Sequence, residues 1–287
     1  MLSRLMLLAA AMLFSTGGTA IKSCGLTDWQ IAGFRCGVAA LVLALLVPAS
    51  RRAWNRSILG VAVVYAATLV AYSLANKATT SANAIFLQSA APLYILLLAP
   101  WLLKEKTRLR DVGLMLAMAL GLGLFFVVDQ PPLETAPDPG WGNVYGAAAG
   151  FFWALTVMGL RRLAAAPEAR DDDAVRAVVA GNTLAFLATL PLALPVVRST
   201  PEDWAWIAYL GIFQIAVAYR LLTRGIKGVP AFEASLLLLA EPIFNPVWTW
   251  WMHGEVPTRG AWIGGALILV AATLKTWLDT SSPQSDA

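Results

Sequence analysis

A carboxylate stands inside the apolar run LLLLAEPIFNPVWTWWMHGE, residues 236–255. Glu241 follows four leucines and an alanine and precedes Pro242, Asn245 and Trp248. Three kinds of chemistry suit an acid so placed. It can close a hydrogen-bond network with Arg35 or with amides freed by Pro242. It can hold a cationic group such as an ammonium. It can also take up and release a proton, since burial penalises a bare charge. Arg35, in FRCGVAALVLALL at 34–46, is the one basic residue well inside an apolar segment. Its guanidinium can pair with Glu241, hold the carboxylate of a bound molecule, or snorkel to the nearer surface. An acid and a guanidinium beside one cavity would suit a zwitterion. Little other chemistry is on offer. His253 is the single histidine, and the two cysteines, Cys24 and Cys36, form no CxxC pair. No nucleophile–base set, phosphate loop or metal-ligand spacing occurs. The expectation is a protein that is not an enzyme and that uses neither cofactor nor metal.

Spacing shows where the acid looks. Glu241, Asn245, Trp248 and Met252 recur at i, i+4, i+7 and i+11 and share one helix face. Leu236, Leu239, Ile243 and Val247 fill the opposite face, which suits lipid or packing. A second stripe, Tyr65, Thr68, Tyr72 and Asn76, has the same period. Other apolar segments offer Ser15, Thr16 and Thr19; Ser81, Asn83 and Gln88; Trp153 and Thr156; and Gln214. Polar atoms on this many segments suggest a shared central cavity. Its candidate lining is Thr16, Tyr72, Asn76, Gln88, Trp153, Gln214, Glu241, Asn245 and Trp248, with Arg35 and Glu241 as candidate charge pair or coupling groups. For any single hydroxyl the alternative is a bond to a backbone carbonyl or to a neighbouring helix.

The segments that must position these groups are membrane spans. Of the 287 residues 59% are hydrophobic and 13% charged, with mean hydropathy +0.67; soluble domains carry about 25% charge. A helix needs roughly 20 apolar residues to cross the hydrocarbon. Ten segments qualify, near 3–21, 29–48, 57–76, 80–102, 109–128, 142–160, 175–197, 203–223, 231–251 and 260–278. The first has the look of a signal peptide, but the repeat described next makes it a retained helix. Lysine and arginine set the orientation. Sixteen of the 21 lie at the termini or in even-numbered connections, four in odd-numbered ones, and Arg35 is internal. Both termini are therefore expected in the cytoplasm, with the chain in the bacterial cytoplasmic (inner) membrane. The charge of +4 and pI near 9.2 are loop arginines and lysines, not a nucleic-acid face. The expected partners are lipid and a small-molecule substrate, the chain acting as monomer or homodimer.

The fourth and ninth segments match at a shift of 150 residues. Pro92 falls on Pro242, Glu105 on Glu255, Ala84 on Ala234 and Lys77 on Lys227. The shift spans five helices, an odd number, so the second half enters the membrane inverted. The expected organisation is 1–128 as a first five-helix repeat, 129–141 as linker, 142–278 as a second repeat and 279–287 as a polar tail. Pro92 and Pro242 each remove a backbone hydrogen bond and are candidate hinges. Glu105 and Glu255 read as turn caps at the start of the next helix. Gly146 and Gly150 form a GxxxG, and Gly113, Ala117 and Gly121 a small ridge, both packing faces first. Trp250 and Trp251 suit an aromatic belt.

Ten helices in inverted halves, proline-centred fourth and ninth segments ending in Lys104-Glu105 and Gly254-Glu255, and the LLLLAEP stretch at 236–242 resemble the drug/metabolite transporter superfamily, EamA-type. GFFWALTVMGLRR at 150–162 resembles its sixth helix and 34–46 its second. Where many relatives carry a Trp-Gly pair in the first helix, this chain has Ser15-Thr16-Gly17-Gly18. The resemblance implies an all-α polytopic transporter that exports amino acids or other small metabolites by alternating access. The alternative is a proton-coupled carrier of drugs, sugars or nucleosides, and a non-transporting scaffold stands further off.

Overall fold

The computed structural model describes residues 1–102, 109–128 and 130–281. Ten helical segments occupy the ten expected spans. They are α1 Leu2–Ser23, α2 Asp28–Leu46, α3 Arg56–Ala78, α4 Ser81–Leu102, α5 Leu109–Val127, α6 Pro139–Ala164, α7 Asp173–Ala193, α8 Pro201–Gly228, α9 from Ala231 to His253, and α10 Arg259–Ser281. Eight, α4 among them when taken through its break, are long and apolar enough to cross a bilayer, the apolar stretch of α5 is shorter, and α9 is divided. Helix starts carry their own donors' partners. Thr27 and Thr200 form capping boxes for α2 and α8, while Asn55, Thr80 and Asp138 cap α3, α4 and α6. Pro139 at the first turn begins α6 inside the expected linker.

Packing follows the repeat. α1 lies on α8 and α9, and α6 lies correspondingly on α3 and α4. α2 packs on α7, α4 on α9 and α5 on α10, each pairing a helix with its own counterpart. The two halves thus pack on each other through equivalent helices.

Two segments break where the prolines predict a disturbance. α4 divides into α4a, Ser81–Gln88, and α4b, Ala91–Leu102. α9 divides into α9a, Ala231–Leu238, and α9b, Ala240–His253. The ends of α4a and α9a are 150 residues apart, as are their starts. In an unbroken helix Pro92 would take the carbonyl of Gln88 and Pro242 that of Leu238, and proline has no N–H to do so. Each proline instead sits in the first turn of the second half, where a missing N–H costs nothing. The expected kink is therefore a full break just before each proline. Glu241 becomes the second residue of a new helix instead of a mid-helix acid.

Glycines set the closest approaches. A Cβ on Gly150 would lie 2.7 Å from the Leu87 carbonyl, so the GxxxG of α6 serves α4a within the chain. Gly121 meets α10 in the same way, while Gly113 faces open space and takes no part in such a ridge. Trp250 and Trp251 are 58% and 74% exposed, as belt residues are. Leu236, Ile243 and Val247 also face outward from α9.

Gly150→Ala should cost about 1–3 kcal/mol through overpacking against backbone, read as a lower melting temperature in detergent. Gly60→Ala, in open space on α3, should leave it unchanged or raised. Equal melting of Gly150→Ala and wild type would mean that α4a and α6 do not touch at this distance.

Candidate functional site

Six of the sequence candidates meet on one cavity. Arg35 from α2, Tyr72 from α3, Gln88 from α4a, Trp153 from α6, Gln214 from α8 and Glu241 from α9b line a space of about 210 Å³. Phe14, Tyr65, Thr68, Leu69 and Tyr219 also line it, with Ile215, Leu222 and Leu238. Tyr65 and Thr68 belong to the α3 stripe. Phe14 and Tyr219 were not legible in sequence, since an aromatic in an apolar helix carries no mark that separates wall from core. Their rings meet edge to face at 5.3 Å, and Tyr219 meets Tyr65 at 5.7 Å.

Local geometry sets each polar group. Gln88 is the last residue of α4a, and its Oε1 is buried without a hydrogen-bond partner. Gln214 lies in a π-helical stretch of α8, Leu210–Val217, the kind of widened turn that recurs at functional sites. Glu241 sits in the first turn of α9b, where the helix dipole favours negative charge. Among the described residues no hydrogen bond or ion pair reaches its carboxylate.

Arg35 corrects two expectations. It is 1% exposed, so it does not snorkel, and it does not pair with Glu241. Its Nη2 donates to the Leu69 carbonyl at 2.9 Å and its Nη1 to Gln214 Oε1 at 3.4 Å. The Nε is buried without a partner. α2 packs against α3 and α8, so a carbonyl and an amide reach the guanidinium before any acid does. A permanent cation and a carboxylate therefore share a cavity wall, each without a countercharge in contact.

A second cavity of about 280 Å³ adjoins the first and shares Gln88, Trp153, Leu238 and Glu241 with it. It lies among α4, α9 and α10, walled by Ile85, Pro92, Leu239, Leu269 and hydroxyls such as Ser235 and Thr273. Glu241 and Gln88 thus stand between two spaces, only one of which contains a cationic side chain.

The other four candidates do not line the cavity. They form a hydrogen-bonded layer toward the face opposite the termini. Thr16 Oγ1 meets the Tyr209 hydroxyl at 2.8 Å, and Trp248 Nε1 donates to Ser15 Oγ at 2.9 Å. Asn76 accepts from Ser81 Oγ at 2.6 Å, and Asn245 Nδ2 donates to the Tyr72 hydroxyl at 3.3 Å. Asn76 is one turn beyond Tyr72 on the same stripe, so periodicity gave the face and not the depth. Gly18 makes room in this layer, because a Cβ there would lie 2.3 Å from Ser81 Oγ.

Glu255 departs from its expected role. It caps not α10 but α4a, accepting from Ser81 N at 3.0 Å, and it pairs with Lys22 at 2.7 Å. Glu105 lies outside the described residues.

A model of the EamA-like transporter family matches residues 1–127 and again 140–277. A protein of Archaeoglobus fulgidus named as an uncharacterized transporter is 30% identical over 224 residues, 78% of this chain and 77% of its own. A Synechocystis protein of the same description is 22% identical over 206 residues, covering 70% of this chain and 59% of its own. A solved crystal structure, 21% identical, shares the fold with a TM-score of 0.63 across 98% of this chain and 99% of that one.

Removing Arg35 and removing a structural polar group should have opposite effects on stability. Arg35→Met deletes a buried charge with no ion pair and should leave the melting temperature unchanged or raise it. Asn143 accepts from Thr79 and Asn83 and donates to the Phe125 carbonyl. Asn143→Ala leaves those groups unsatisfied and should cost about 1–3 kcal/mol. An Arg35→Met protein that melts as early as Asn143→Ala would make Arg35 a structural residue.

Proposed function

The chain belongs to the EamA-like transporter family, and on that premise we propose that it exports small zwitterionic metabolites, amino acids foremost, across the bacterial cytoplasmic membrane by alternating access. The observation that carries this reading is the cavity wall itself. Arg35 and Glu241 are opposite charges on one space, neither neutralised by a described side chain. A buried ion without a partner is expensive. A ligand with a carboxylate for Arg35 and an ammonium for Glu241 would supply both countercharges at once. Gln88 Oε1 and Arg35 Nε, both unpaired, add one acceptor and one donor. A space of about 210 Å³ favours a small molecule, since drug-sized ligands need roughly 300–1,000 Å³.

Alternating access has its mechanical basis in the two breaks. Discontinuous helices at a repeat interface are where secondary transporters place substrate and let halves rock. The loop charges favour both termini in the cytoplasm, and the family resemblance favours efflux over uptake. Gly146 and Gly150 of α6 and Gly121 of α5 are occupied within the chain, which supports one chain as the transporting unit.

The second cavity favours one other reading. It offers Glu241 and Gln88 as acceptors with no cationic side chain in its wall, which suits an organic cation with an apolar body, carried in exchange for protons.

Counterflow into proteoliposomes separates these readings. Amino acids should exchange above empty liposomes, and Arg35→Met should weaken apparent affinity for them by tenfold or more, the order of one lost charged hydrogen bond. Glu241→Gln should weaken affinity for the ammonium while a proton-coupled carrier also loses uphill transport. Exchange of organic cations that ignores Arg35→Met would favour the second reading. No exchange of any amino acid would refute the first.

A further inference from the structure

We propose that Lys22 and Glu255 form an outer latch that closes the cavity to the cell exterior and positions α4a for substrate binding. The proposal rests on the carrier reading and on cytoplasmic termini.

Lys22 Nζ and Glu255 Oε1 are 2.7 Å apart, with side chains 2% and 3% exposed. No other described ion pair is so deeply enclosed. The pair joins the two repeats, because Lys22 ends α1 and Glu255 lies in the turn between α9 and α10. Lys22 also donates to the carbonyls of Thr79 at 3.0 Å and Thr135 at 2.5 Å. Four chain connections on one face are thus held at a single ammonium–carboxylate contact. Near the opposite face, Arg176–Asp173 is also largely enclosed but lies within one helix turn, and Lys275–Asp111 joins α10 to α5 with the lysine 17% exposed. Arg4–Glu233 and Arg52–Asp172 place their arginines 60% and 59% exposed, where pairing contributes little.

Burying two charges is a costly way to fasten helices, since apolar residues of similar volume often serve as well or better. The choice makes sense for a contact that must open. When the two ends separate into water, hydration of each ion replaces the lost attraction, so closed and open states stay near balance. A contact of this kind is a bistable element, which a packed apolar seam is not.

The latch reaches the cavity through one rigid piece. Glu255 Oε2 accepts from Ser81 N at the first residue of α4a, and Gln88 is the last. That rod is roughly 10 Å long at 1.5 Å per residue. The break before Pro92 separates it from α4b. Release of Glu255 frees the outer end of α4a and so moves Gln88 in the cavity wall. Lys22 and Glu255 are positioning residues, touching no substrate themselves.

The test uses the full chain in right-side-out and inside-out vesicles. Thr68→Cys, in the cavity wall, reports access to a membrane-impermeant maleimide, against the same protein without that cysteine as background. Lys22→Met and Glu255→Gln should each speed labelling from outside about tenfold or more. The double variant should label no faster than either single one, because all three lose the same contact. Arg4→Met, which removes the exposed pair, should change nothing. Unaltered outside labelling in both latch variants, or a rise confined to inside-out vesicles, would overturn the proposal. A Lys22→Cys/Glu255→Cys pair tests the closed state in a protein that keeps its fold. Oxidation should suppress outside labelling and counterflow, and reduction should restore both. Counterflow that continues with the crosslink intact would also overturn the latch. The labelling arm needs no substrate, so its failure is distinct from failure of the carrier reading.

Discussion

Hydrocarbon offers no hydrogen bonds, and this governs the structure more than any contact within it. A backbone carbonyl left free in a membrane must be enclosed by protein or open onto a polar space. Pro92 and Pro242 free two such carbonyls, those of Gln88 and Leu238, at equivalent depths of the two halves. The fold answers by bringing the two breaks together. α4 packs on its counterpart α9, and Gln88 and Leu238 both border the same cavities. The cavity is where it is because the chain breaks there, and the chain breaks there because of two residues without N–H groups.

The same rule makes the polar inventory readable as two layers. Around the cavity, donors and acceptors are left open: Arg35 Nε, Gln88 Oε1 and the Glu241 carboxylate. Toward the face opposite the termini, more of the polar groups are paired to each other, as in Asn76 with Ser81, Trp248 with Ser15, and Lys22 with Glu255, although Thr19 Oγ1 and Asn245 Oδ1 stay unpartnered. Unpaired polar atoms cost free energy and paired ones hold elements in register. In the alternating-access cycle proposed above, the second kind would come apart once per turnover. Hydrogen bonds and an ion pair suit that better than an apolar seam.

The family also explains what the sequence alone was able to say. An EamA-like transporter is two copies of one five-helix unit, and a shift of an odd number of helices is written directly in the chain as Pro92 on Pro242 and Glu105 on Glu255. Ten spans, inverted halves, a disturbance of the helix at both prolines and the inward face of Glu241 were all legible, whereas the full break at each proline was not. Each rests on a one-dimensional signal: hydropathy length, repeat spacing, a missing N–H, or a period of 3.6.

What the sequence left open were quantities that depend on which helix stands beside which. Periodicity placed Tyr72 and Asn76 on one stripe, but only packing decided that Tyr72 borders the cavity while Asn76, one turn on, is bonded to Ser81. It named Arg35 and Glu241 as a possible pair, but α3 and α8 bring Leu69 O and Gln214 to the guanidinium first. Glu255 read as a cap for the helix that follows it, and the fold gave it to α4a and Lys22, about 174 and 233 residues away along the chain. Sequence by itself determined the membrane fold, its repeat and the faces of its helices, because these are properties of single segments. Tertiary structure alone decided which charges meet, because in a low-dielectric interior a charge is claimed by the nearest partner in space, whatever its distance along the chain.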